Sequence, residues 1–152
     1  MTLPPKARWR NPASGKVYPL SRPKKSRRKQ LEKALDEAFS EYIRARDGKC
    51  VTPRPGCNPD WLTCSHLFKR RYKGTRWDEE CAFCQCAPCN GRHNHDPEHL
   101  TAYFLKVVSK KYGAKRVLEI YEEKKAKAHA ITKYTIDELE QLLHKGKGEK
   151  RW

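Results

Sequence analysis

Cys81-Ala82-Phe83-Cys84-Gln85-Cys86-Ala87-Pro88-Cys89-Asn90 is the stretch on which the reading of this chain turns. Four cysteines fall within nine residues, and an asparagine follows the last of them. Cys86 and Cys89 have the CxxC spacing by which two thiolates grip one zinc ion, and a tetrahedral site needs two more ligands. Cys50 and Cys57 upstream supply them, separated by a run with Pro53, Pro55 and Gly56 that suits a turn. Between the two pairs stand Cys64-Ser65-His66 and then the basic run Lys69-Arg70-Arg71-Tyr72-Lys73. A zinc-stapled frame that brings one histidine and one asparagine together among basic residues points to metal-dependent chemistry on phosphates.

The composition agrees with that frame. With 152 residues the chain is one domain of ordinary size. Hydrophobic residues make up only 37% and the mean hydropathy is −1.00, so the core is small and a structural metal is a natural staple. A net charge of +16, with a pI near 9.7, calls for a polyanionic partner, most simply nucleic acid. No apolar run approaches the roughly eighteen residues of a membrane span. The basic N-terminus lacks the apolar centre of a secretory signal, so the expected location is the cytoplasm. Seven cysteines, most of them crowded together, suit metal binding in a reducing compartment better than a disulfide framework.

In chain order, residues 1–25 read as a flexible basic arm. Pro4, Pro5, Pro12, Pro19 and Pro23 interrupt regular structure, and Lys24, Lys25, Arg27 and Arg28 are placed to follow a phosphate backbone, with Trp9 and Tyr18 available for stacking. Residues 26–144 form the folded domain and 145–152 a frayed basic tail. The apolar stripe Leu31, Leu35, Phe39, Ile43 predicts a core-packing helix over 26–47 that stops at Gly48 and carries no chemistry. A hairpin is expected from residues 61–68 and 75–83. Asp96 as cap and Pro97 as first helical residue open a helix over 96–112. A third helix buries Val117, Leu118, Ile120 and Tyr121, and Thr135-Ile136-Asp137-Glu138 is a capping box for a short fourth.

Hairpin, metal knuckle and helix in that order make a ββα-metal core, so the expected fold is α+β: a zinc-bound, HNH-like core flanked by helices. His66, the one histidine between the cysteine pairs, is the candidate general base, because imidazole titrates near working pH. Asn90, held by the last zinc thiolate, is a candidate ligand for a catalytic divalent cation. Lys69, Arg70, Arg71, Lys73 and Arg76 join the arm as expected DNA contacts. Cys64, Cys81 and Cys84 are either small buried hydrophobes or a second thiolate cluster.

These residues also carry a resemblance. Cys-x-x-Cys-Asn after an upstream strand histidine is similar to the HNH/endonuclease VII group. Ala38 to Asp47 (AFSEYIRARD), Ser65-His66, Arg76-Trp77-Asp78-Glu79, Gln85 to Asn90 and Lys133 to Ile136, taken in order, resemble the Rap (NinG) recombination endonucleases of lambdoid phages. The resemblance spans about residues 30 to 143. It implies a phage-encoded endonuclease of the bacterial host cytoplasm that uses Mg2+ or Mn2+ to cut branched recombination intermediates such as D-loops and Holliday junctions. Resolving a junction takes two cuts, which a homodimer would supply by symmetry. The chain departs from the pattern in three places. The aspartate that many HNH enzymes place before the base is Ser65, the central asparagine falls on Cys81, and the final asparagine falls on Asp96. The resemblance therefore gives His66, Asn90 and Asp96 as the catalytic set, with His93 and His95 as neighbouring alternatives for the cation.

Overall fold

The computed structural model describes residues 8–10, 13–15, 17–19, 26–149 and 152. Lys24, Lys25 and most of the 1–25 arm lie outside the described residues. Within the arm, β1 (Arg8–Arg10) pairs antiparallel with β2 (Val17–Pro19), placing Trp9 opposite Tyr18. The prolines were expected to prevent regular structure there. They fall outside the paired core or at its last position, while Trp9, Val17 and Tyr18 take three of the six paired positions and Gly15, with φ +65°, turns the chain.

Helix α1 (Arg27–Asp47) starts at Ser26, whose hydroxyl accepts from the Lys29 N–H, and stops at Gly48 in the left-handed conformation. Leu31, Leu35, Phe39 and Ile43 recur every fourth residue and are buried. Each such burial stabilises by roughly 1.5–3 kcal/mol. The central sheet has two strands, β3 (Leu62–His66) and β4 (Ala82–Cys86), antiparallel with Leu62 opposite Cys86 and His66 opposite Ala82. β4 is buried along its whole length because both of its faces are covered. Ala82 and Cys84 pack on α1, and Phe83 packs into a second cluster with Leu100, Phe104, Val108 and Ile120. Those residues come from α3 (Glu98–Tyr112) and α4 (Val117–His129).

Four features differ from the expectations above. The partner strand begins at residue 82 instead of 75. Two 3-10 turns, Lys73–Thr75 and Glu79–Cys81, stand there instead, and Asp78 caps the second by accepting from the Glu80 N–H while it ion-pairs with Lys124 and Lys127 across the fold. The knuckle itself is helical: α2 (Ala87–His93) starts directly at Cys86, with Pro88 in its first turn. Asp96 accepts from the Glu98 N–H one residue outside α3, where Pro97 takes the capping position. Leu118 is exposed, since α4 meets the core through Ile120 and Ala128.

The capping box is as expected: Glu138 accepts from the Thr135 N–H, and the Thr135 hydroxyl accepts from the Glu138 N–H. The helix it opens, α5 (Ile136–Glu149), runs past the predicted end at residue 144. Beyond it Trp152 packs edge-on against Phe39 and closely over Gly146. α5 lies on α1, so α1 and α5 cover one face of the sheet and α3 and α4 the other.

Candidate metal centre and basic cleft

The sulfurs of Cys50, Cys57, Cys86 and Cys89 all lie within 4.8 Å of one another and could hold a metal ion such as zinc. Local structure brings them together. Cys50 follows the Gly48 stop of α1, and the Cys57 N–H closes a turn onto the Arg54 carbonyl beside Gly56, whose φ is +80°. Cys86 ends β4 and Cys89 lies one turn into α2. Zinc–sulfur bonds of about 2.3 Å would need only a modest contraction of this set. Burial raises the Cys86 thiol, but backbone N–H groups of Cys89 and Asn58 donate to its sulfur and bring it down to about 7. The Cys57 and Cys86 sulfurs lie 3.4 Å apart, and that contact, with burial, pushes Cys57 up to about 12.

Cys64, Cys81 and Cys84 take no part in a metal-binding group among the described residues. Burial pushes Cys64 and Cys81 up to about 12 and Cys84 to about 11, which leaves them as neutral, small apolar side chains.

Beside the metal centre lies a cleft of about 650 Å³ between α1, β3, α2 and the loop after β3. His66 and Asn90 both line it. The His66 Nε2–H donates to the Arg76 carbonyl at 3.0 Å, which makes Nδ1 the ring's proton acceptor. Burial lowers the His66 pKa to about 4, the bond to Arg76 opposing this only in part, so the imidazole is neutral at pH 7. The Arg76 carbonyl is itself held. Arg76 ion-pairs with Asp36 and Glu32 of α1, and the Trp77 indole N–H donates to Asp36 at 3.0 Å. Asn90, on α2, donates through Nδ2 to the Thr63 hydroxyl at 2.9 Å, which leaves its carbonyl oxygen as the free end.

Other expected site residues stand elsewhere. Asp96 does not line the cleft; it pairs with Arg54 at 2.9 Å and faces His99 at 3.7 Å. His95 is exposed and does not line it either. Ser65 is buried with its hydroxyl unpartnered among the described residues, on the opposite face of β3 from His66. Arg76 and Lys73 are engaged by Asp36 and Glu32, Arg27 by Glu140, and Arg28 by the Tyr134 carbonyl, so these four brace the fold. Lys69 and Arg70 line the cleft and are exposed, with Arg71 exposed beside them.

Sequence reasoning missed one cleft residue, Arg44, and gave another, His93, only as an alternative for the cation. Arg44 reaches the rim from the polar face of α1 and donates to Ser40 at 2.6 Å. His93 sits one turn after Asn90 on the same face of α2. That three-residue spacing was the available signal, hidden because α2 was not foreseen as a helix. Set against family models, curated proteins and solved structures, the chain has no match in any of the three.

Proposed function

We propose that this protein is a metal-dependent DNA endonuclease with a zinc-stapled, HNH-like ββα-metal core formed by β3, β4 and α2. One observation carries the reading: a neutral imidazole, oriented by a backbone carbonyl so that Nδ1 is its acceptor, lies in a cleft with Asn90 and a cationic rim of Arg44, Lys69 and Arg70. A phosphodiester is drawn to that rim by charge. His66 accepts a proton from water at Nδ1, and the resulting hydroxide attacks phosphorus as the bond to the 3′ oxygen breaks. The products carry 5′-phosphate and 3′-hydroxyl ends. A divalent cation at Asn90, Mg2+ or Mn2+, would neutralise the charge that builds on the phosphate and the leaving oxygen. Zinc at the four cysteines is structural in this account and fixes the start of α2, and therefore Asn90.

Branched recombination intermediates are the proposed substrates, and a homodimer the proposed working form, because of the resemblance to the Rap (NinG) endonucleases. One observation favours a second reading, a zinc module that binds DNA without cutting it: among the described residues no carboxylate lines the cleft. The two are separated by incubating the protein with branched and linear duplexes, with Mg2+ or Mn2+ and with EDTA. Metal-dependent cutting supports the enzyme. Binding without cutting under every metal condition supports the module.

A further inference from the structure

The loop after β3 carries a second surface beside the cleft. Lys69 and Arg70 line the cleft, and the Tyr72 N–H closes a turn on the Lys69 carbonyl at 2.9 Å, which puts Tyr72 one turn beyond the cationic rim. The Tyr72 ring meets two planar groups. The Arg71 guanidinium stands 4.9 Å from its centroid, with Nη2 donating to the Tyr72 hydroxyl at 2.9 Å, and the His129 ring of α4 lies 4.6 Å away, tilted by 58°. Arg71 and His129 are both exposed, and Arg71 pairs with no carboxylate among the described residues. A Cβ at Gly74 would stand 2.2 Å from the Lys127 carbonyl oxygen and 3.1 Å from the Thr132 hydroxyl, so the loop is in close contact with the end of α4 and the residues after it. Ile131, next to Thr132, is 92% exposed. A single exposed apolar residue is ordinary, but this one borders a cation–aromatic cluster. Residues 67–75 and 124–134 contain no acidic residue, and Arg71 and Lys133 are exposed within them.

We propose that Arg71, Tyr72, His129 and Ile131 form a seat for one unpaired nucleobase, the first beyond a duplex held at the cleft rim. The inference rests on reading the cleft as a DNA site. A paired base shows a protein only its groove edges, so planar side chains gain a π-face only where a base has left the helix. Guanidinium and aromatic groups stack on such a face whatever the base. The Arg71 plane is already held by Tyr72, so little freedom is lost when a base covers it. The net charge of +16 and the acid-free segments favour a polyanion over a second copy of this chain. A single strand seated here leaves the rim within one turn of the loop, so the phosphate in the cleft lies next to the point where the duplex opens. Selectivity then follows the shape of the substrate and not its sequence.

The test uses the zinc-loaded full chain with no added Mg2+ or Mn2+, so that binding is read without cutting. Fluorescence anisotropy compares a forked duplex with single-stranded arms, the same fork lacking one base at each unpaired position in turn, and the fully paired duplex. The expected result is tighter binding of the fork than of the duplex, and a loss of about five- to a hundredfold when the base nearest the fork is missing, the range that stacking of one base supplies. Exchanging that base for any other changes little. Arg71→Lys, which keeps the charge and loses the plane, and His129→Ala both shrink this base dependence while duplex affinity holds. Equal affinity for fork and duplex, or no position at which a missing base weakens binding, overturns the proposal on the wild type alone. A base dependence undiminished in folded Arg71→Lys and His129→Ala overturns it too, by placing the stacking elsewhere. So does an Ile131→Ser protein that loses self-association in sedimentation while its base dependence stands, which assigns the surface to a second copy of the chain. The nuclease reading fails separately: a base dependence that the variants abolish, with no cutting under Mg2+ or Mn2+, removes the enzyme and leaves the seat. Metal-dependent cutting with no base dependence removes the seat and leaves the enzyme.

Discussion

Replacing Asp36 by alanine removes the hub behind His66. The carboxylate accepts from Arg76 at 2.9 and 2.5 Å and from the Trp77 indole at 3.0 Å, and burial does not stop these bonds from lowering its pKa. Without it, the Arg76 side chain, 14% exposed, keeps only Glu32 at 3.5 Å, and the buried Trp77 ring loses the acceptor for its N–H. Removing one partner of a buried, hydrogen-bonded ion pair costs about 3–5 kcal/mol. Asp36 retains some solvent contact, which places the loss near the low end, about 3 kcal/mol. In a chain of this length that lowers Tm by roughly 6–12 °C. Urea unfolding followed by tryptophan fluorescence reads the stability. Nitrogen NMR of the His66 ring reads the second consequence, a mixed tautomer once the 76–77 backbone relaxes, and kcat should fall more than KM changes. Asp36→Asn, which keeps an acceptor for Trp77, should recover part of the stability. A loss below 1 kcal/mol, or a folded Asp36→Ala protein with an unchanged His66 tautomer and kcat, would refute the reasoning.

Three further outcomes follow from the same contacts. A Cβ at residue 74 would stand 2.2 Å from the Lys127 carbonyl oxygen, so Gly74→Ala must part its turn from α4, at a cost of about 1–3 kcal/mol in a denaturant melt, whereas Gly91→Ala, which meets nothing, should be near neutral. Burial raises the Glu80 pKa, but bonds from Lys111, Lys124 and Tyr112 outweigh it and hold it at about 2 against an ordinary 4.5; that stability is complete above pH 4.5 and lost as pH falls toward 2, so acid titration should show a decline from this residue that Glu80→Gln abolishes, of about 1–2 kcal/mol once solvent screening of these exposed partners is allowed for. Cys89→Ser, or prolonged dialysis against a strong chelator, should release the bound metal and unfold the α2 region, because thiolate sites of this kind contribute on the order of 10 kcal/mol to small domains; metal analysis and circular dichroism check it, and a folded, metal-free protein would count against the centre.

Elements whose signals are local could be read from the sequence. α1 has its period, its Ser26 cap and its Gly48 stop within the helix and its flanks, and the capping box of α5 is four consecutive residues. The four-cysteine group follows from spacing, because CxxC constrains geometry strongly. Elements decided by distant partners could not. β4 shows no alternation because helices cover both its faces, so AFCQC has no period to detect. The 3-10 turns depend on Asp78 meeting lysines that lie more than forty positions away. Arg76 reads as one more basic residue until Asp36 is seen to claim it, and Asp96 reads as a ligand until Arg54 does. The seven residues of α2 are too few to display a helical repeat, and with it went the pairing of Asn90 and His93.

The central claim is that His66 makes the nucleophile, and the most direct measurement is cleavage of branched and linear duplexes by wild type and His66→Ala under saturating Mn2+. The four cysteines and the rim of Arg44, Lys69 and Arg70 remain in the variant, so zinc content and DNA affinity should hold. General-base catalysis is worth about 10²–10⁴ in rate, so cutting should fall by that factor and should not recover with more metal, whereas Asn90→Ala should recover in part. A His66→Ala protein that folds, binds DNA and cuts it at the wild-type rate would contradict the account.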